Sequence, residues 1–118
     1  MFLERLSEIS GRIDGAVALS LVAGDGIPVE SVSSDPELDL EALSAELIAQ
    51  VRGISNDHQE LRVGPVRHFA VSTDQLTLMV SAVGEGYYLL LVLRDPASYG
   101  RARFELRRAQ LLFEDDLI

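Results

Sequence analysis

Residues 21–31, LVAGDGIPVES, decide how this chain is read. Gly24, Asp25 and Gly26 supply the positive φ that a tight hairpin turn requires, and they stand between two apolar runs. Pro28 follows the turn almost at once. Lacking an N–H, proline cannot complete the ladder of a central strand, so the strand it opens, residues 27–33, belongs at a sheet edge. The preceding run, residues 15–23, is apolar almost throughout, the pattern of a strand covered on both faces.

Working outward, Phe2, Leu6, Ile9 and Ile13 recur at helical intervals and predict a first amphipathic helix ending near residues 11–14. Asp35-Pro36 breaks the chain, and Asp39 caps a second helix to about Asn56 with the core stripe Leu40, Leu43, Leu47, Val51 and Ile54. Past the bend at Gly64-Pro65, residues 66–72, 76–83 and 87–94 read as three strands of a meander. Asp95-Pro96 opens a last helix with the stripe Tyr99, Ala102, Leu106, Ala109 and Phe113. The order is α-β-β-α-β-β-β-α. The expected fold is α/β of the α+β type, one domain over residues 1–118. Its five-stranded antiparallel sheet carries the first and last helices on one face and the second helix on the other. Residues 15–23 and 87–94, apolar on both sides, are expected in the centre and adjacent. That leaves residues 27–33 and 66–72 at the two edges.

Composition removes several classes of function. The absence of cysteine excludes disulfides, thiolate catalysis and cysteine metal sites. All ten cations are arginine, which excludes a Schiff-base lysine and a Walker-type phosphate lysine. The formal charge of −9 sits in residues 1–60, while residues 61–118 balance seven arginines with seven acids. Such a chain lacks the basic surface that nucleic acid or an anionic membrane demands. Glu4, Arg5 and Glu8 fall where a signal peptide needs an apolar core, so a cytoplasmic protein without membrane insertion is expected. His58 and His68 stand apart, without the spacing of a metal site. Asp25 is accounted for by its turn. The glycines form neither a dinucleotide nor a phosphate-binding loop, and no serine lies in a nucleophile elbow. No cofactor and no catalytic residue is expected.

The helix surfaces say more. On the second helix Ala42, Ala45, Ala49 and Gly53 lie opposite the core stripe, and Glu41, Ser44, Ile48, Arg52 and Ser55 form a lateral row. Small residues on an outer face reflect either helix propensity or a surface that another backbone approaches closely. On the last helix Phe104, Leu111 and Ile118 recur away from the core stripe, flanked by Arg101, Arg103, Arg107 and Arg108. They either belong to a fraying helix end, pack on the first helix, or form a second interaction surface.

The element order, the hairpin GAVALSLVAGDGIPVES at residues 15–31 and the strand GYYLLLVL at residues 86–93 together resemble the roadblock, or dynein light-chain-related, family over essentially the whole chain. Within it the chain is most similar to bacterial members that partner a small Ras-like GTPase, such as the gliding-motility GTPase-activating protein. The resemblance implies a profilin-like sheet and a homodimer in which an edge strand pairs with its twin across a twofold axis, the second helices lying side by side. On that reading Val66, Arg67, His68, Phe69, Ala70 and Val71 of the proline-free edge, with Ser44, Ile48 and Arg52, form the dimer interface. The paired second helices meet the GTPase in the relatives, which implies Glu41, Ala42, Ala45, Glu46 and Ala49 as the GTPase-binding surface. The protein is then a non-enzymatic regulator of GTP hydrolysis or polarity switching. Functions that longer relatives owe to a C-terminal extension are not expected, since Ile118 follows directly on the last helix. Two other readings stay open: an assembly scaffold with no effect on turnover, and a small-ligand sensor on a profilin-like or PAS-like sheet.

Overall fold

The computed structural model describes residues 2–94 and 99–115, with the backbone alone for residues 55–61. The predicted start of the last helix at Asp95-Pro96, the side chains of Ser55 and His58, and Ile118 lie outside the described set. The elements run α1 (Leu3–Gly11), β1 (Ala16–Ala23), β2 (Pro28–Ser33), α2 (Leu40–Leu61), β3 (His68–Ser72), β4 (Thr77–Val83), β5 (Tyr87–Leu93) and α3 (Tyr99–Glu114). The sheet order is β2-β1-β5-β4-β3 with every neighbouring pair antiparallel. Central and edge strands fall as the sequence predicts, and the architecture is the expected one. The second helix runs five residues beyond its expected end, and the third strand starts two residues late.

Burial explains this order. Leu89 to Leu93 are five consecutive buried apolar side chains on β5, and Val17, Ala18, Leu19, Leu21 and Val22 are buried on β1. Each large one contributes about 2 kcal/mol when removed from water, which only a strand covered on both faces can realise in full. One face packs Leu6, Ile9, Ile13, Leu106 and Phe113 against Leu19, Leu21, Met79, Leu89 and Leu91, placing α1 and α3 together. The other packs Leu47, Ile48 and Val51 of α2 against Val17, Val22, Leu78, Val80, Leu90 and Val92.

The opening hairpin shows why Pro28 is tolerated. Asp25 Oδ1 accepts from the Ile27 N–H at 3.0 Å, and the Gly26 N–H donates to the Ala23 carbonyl at 2.9 Å. The Ala23 N–H donates to the Ile27 carbonyl, so Ala23 and Ile27 face each other in a bonded pair, and Val22 opposite Pro28 is the next, non-bonded pair. The missing N–H of Pro28 therefore belongs to the outward side of an edge strand. No ladder bond is lost, and a register shift between Leu21 and Val22 bends the strand there.

The core stripes shift in detail. Ile54, expected in the α2 stripe, is 41% exposed, and Tyr99, expected in the α3 stripe, is also exposed. Five strands about 4.8 Å apart and five to eight residues long cover roughly 20 Å by at most about 27 Å, while 22 residues of helix run about 33 Å, so α2 outreaches the surface beneath it. Conversely Ser44 and Ile48, expected on the outer lateral row, are 0% and 1% exposed.

Candidate protein-interaction surface

The outer face of α2 is built from its cap upward. Asp39 Oδ1 accepts from the Ala42 N–H at 3.0 Å, fixing the first turn, and Glu41 adds negative charge where the helix dipole favours it. Glu41, Ala42, Ala45, Glu46 and Ala49 are all exposed. Among the described residues their one side-chain hydrogen bond is that of Glu46, whose Oε1 accepts from Gln50 Nε2 one turn away at 3.4 Å. The structure thus brings the five predicted partner-facing residues onto one continuous, acidic, low-relief strip.

Part of that low relief has an internal cause. Gly26 has φ +90° and is buried, and a Cβ placed on it would stand 3.2 Å from Ala45 Cα and 3.7 Å from Ile48 Cβ. The β1–β2 turn is pressed into the flank of α2 at Ser44, Ala45 and Ile48. Glycine is required by both the positive φ and the close approach. This contact corrects the expected lateral row, because Ser44 and Ile48 face the chain's own turn and sheet and have no surface to offer a second protomer. Arg52, on the same flank, is exposed.

The opposite flank of α2 is the unfilled one. Leu40 and Leu43 are half-buried there and Ile54 is exposed, while Val66, Phe69, Val71 and Leu76 at the β3 side of the sheet are half-buried against the same core. Along β3 the side chains of Phe69 and Val71 turn to this α2 face, and Ala70 is exposed on the other. Arg67 is exposed, and its carbonyl accepts from the Ala82 N–H at 2.9 Å. His68 turns to the α1/α3 face, where its Nδ1 lies 2.9 Å from Ser81 Oγ. Burial and the nearby Arg103 guanidinium lower its pKa below the usual imidazole value.

One buried charge escaped the sequence reading. Glu105 of α3 is 0% exposed, with Arg101 at 3.3 Å, Arg108 at 3.4 Å and Arg12 at 3.9 Å around its carboxylate. The signal was present as arginines four residues before and three after an acid on the inner helical stripe. Phe104 is 55% and Leu111 64% exposed, so neither packs on α1, and Arg101 and Arg108 each lie 5.8 Å from the Phe104 ring centre. Among the described residues no cluster of acids and histidines could hold a metal ion, and no helix is long and apolar enough to cross a membrane.

Comparison of the whole fold decides its type. A roadblock-domain protein of Streptomyces avermitilis superposes with a TM-score of 0.84 at 19% identity, covering 95% of this chain and 93% of that one. The chain has the roadblock fold. The gliding protein MglB of Thermus thermophilus shares this roadblock fold with a TM-score of 0.86 at 19% identity, over 97% of this chain and 86% of its own. MglC of Myxococcus xanthus matches at 27% identity and a TM-score of 0.72 over 98% of both chains. No protein-family model and no curated protein matches the sequence itself.

Proposed function

We propose that the protein is a homodimeric, non-enzymatic regulator of a small Ras-like GTPase, modulating GTP hydrolysis or polarity switching without a cofactor of its own. The observation that carries this reading is the outer strip of α2, where Ala42, Ala45 and Ala49 let another backbone approach while Glu41 and Glu46 present negative charge to a basic partner. The likeness of the fold to the gliding proteins MglB and MglC, and the sequence resemblance to bacterial members that partner such GTPases, point the same way. Dimerisation is supported by the β3 edge, which carries no proline and is flanked by half-buried apolar side chains.

The test is direct. The Ras-like GTPase of the same organism is titrated with wild type, Ala42→Arg and Ala49→Arg, and its GTP turnover is followed at low and high salt. Both substitutions are on exposed helix surface, so stability should move by only about 0.5 kcal/mol. Affinity should fall more than about tenfold, since a long side chain holds the two backbones apart. Association by the wild type should slow with added salt. Normal binding by both variants removes the strip from the interface, and binding without any change in turnover replaces the regulator by a scaffold.

A further inference from the structure

Seven of the ten arginines divide into two groups. Arg12, Arg101 and Arg108 surround Glu105, and Arg94 lies 3.3 Å from Asp35. Arg67, Arg103 and Arg107 make no ion pair among the described residues, yet all three line one cavity of about 460 Å³ between the β3–β4 edge and α3. Its single acid, Glu114, is further than 4 Å from each of them, since no ion pair forms. All three are exposed, and three cations without a carboxylate partner among the described residues, lining one cavity, give it a positive potential in a chain of net charge −9, the local field that draws an anion.

Polar donors complete the lining. Ser81 and His68 form its floor on the sheet side, joined by their 2.9 Å contact, and the buried His68 Nε2 has no hydrogen-bond partner. In the tautomer in which Nδ1 accepts the Ser81 hydroxyl, Nε2 carries the hydrogen and is a further donor; in the other it is an acceptor. Gln110 is positioned at the wall by its bond to the Ala82 carbonyl. The volume lies within the roughly 300–1,000 Å³ of small-molecule sites, too little for a folded partner.

We infer that this cavity binds a compact polyanion, a small molecule bearing phosphate or carboxylate groups that the guanidinium forks of Arg67, Arg103 and Arg107 grip together. Planar forks match the oxygen pairs of either group, and several such charge-assisted bonds in a partly enclosed site hold an anion that one exposed arginine would not. The inference does not rest on the α2 strip, because the cavity lies on the α1/α3 face and the strip on the other; Arg67 and His68 do belong to the β3 edge at which the proposed dimer joins.

The full chain is titrated calorimetrically with inorganic pyrophosphate and, separately, with citrate, which distinguishes a phosphate from a carboxylate occupant. Wild type should bind one of the two saturably, one per chain, with shifts of the His68 imidazole resonances. Arg103→Gln and Arg107→Gln should each weaken that binding about tenfold, the scale of one lost charge-assisted contact, with thermal melts confirming the fold. Arg94→Gln, which removes an equal charge elsewhere, should bind as wild type does. Three results would overturn the inference: no saturable binding of either anion, an equal loss in Arg94→Gln, or binding only of a polyglutamate peptide, which would make the arginines a contact for an acidic protein segment.

Discussion

Glu105 is the residue that bears most on how α3 is held. Its carboxylate is fully buried, but its three arginine partners keep 40–59% of their side chains in solvent. Breaking a wholly buried ion pair costs about 3–5 kcal/mol because the surviving charge is stranded. Here the surviving charges rehydrate, and the penalty is smaller. Glu105→Gln should lower stability by about 2 kcal/mol, chiefly by burying an amide whose donors have no acceptor. Glu105→Met, of similar volume and without polar atoms, should stay within about 1 kcal/mol of wild type. Urea unfolding of the three proteins makes the comparison, and a Gln variant as stable as wild type would mean that the carboxylate charge contributes nothing. The sequence contained the inner-stripe position and its flanking arginines; an acid on a core stripe is legible only when those pairings are weighed with the periodicity.

At the scale of elements, strand order was legible because it depends on composition and one prolyl bond. Leu89 to Leu93 and the run before Gly24 must be covered on both sides, and Pro28 must be outside. The rotation of α2 was not legible, because apolar residues at 40, 43, 47, 48, 51 and 54 span a wide arc and spacing alone does not say which end of the arc faces the sheet. The β1–β2 turn decides it by closing on Ser44, Ala45 and Ile48 through Gly26. In the proposed dimer the flank of α2 left for a second protomer is therefore that of Ile54, not Ile48. Ile48→Asp should destabilise the single chain by roughly 3 kcal/mol or more, since it buries an unpaired carboxylate in the core. Ile54→Asp should leave the melt of the monomer near wild type and weaken self-association, read by sedimentation over a dilution series. A full-strength dimer with Asp at position 54 would move the contact off this flank.

Over the whole molecule, the sheet has two edges and only that of β3 is free of proline. Pro28 removes an outward donor from β2, a common protection against edge-to-edge pairing. At β3 the bonded pairs follow from the register: Arg67 with Ala82 and Thr73 with Leu76 are bonded, so the alternation puts Phe69 and Val71 in bonded pairs with β4 as well. The N–H groups of His68, Ala70 and Ser72 consequently point away from the sheet and are free to pair with a second copy. Antiparallel pairing of two β3 strands about a twofold axis would join the two sheets into one and leave only the proline-guarded β2 edges at its ends. Ala70→Pro separates this role from folding. Ala70 is exposed and extended, and proline there removes one outward donor and no bond to β4, so the chain should fold, with a melt close to wild type. Phe69→Pro is the contrasting variant, since it removes a bond within the chain and should cost stability outright, about 3 kcal/mol or more by analogy with proline in a helix interior. In sedimentation Ala70→Pro should run as a monomer at concentrations where wild type is a dimer. A dimer that survives Ala70→Pro would exclude β3 as the joining edge and leave the α2 flank at Ile54 as the place where the two protomers meet.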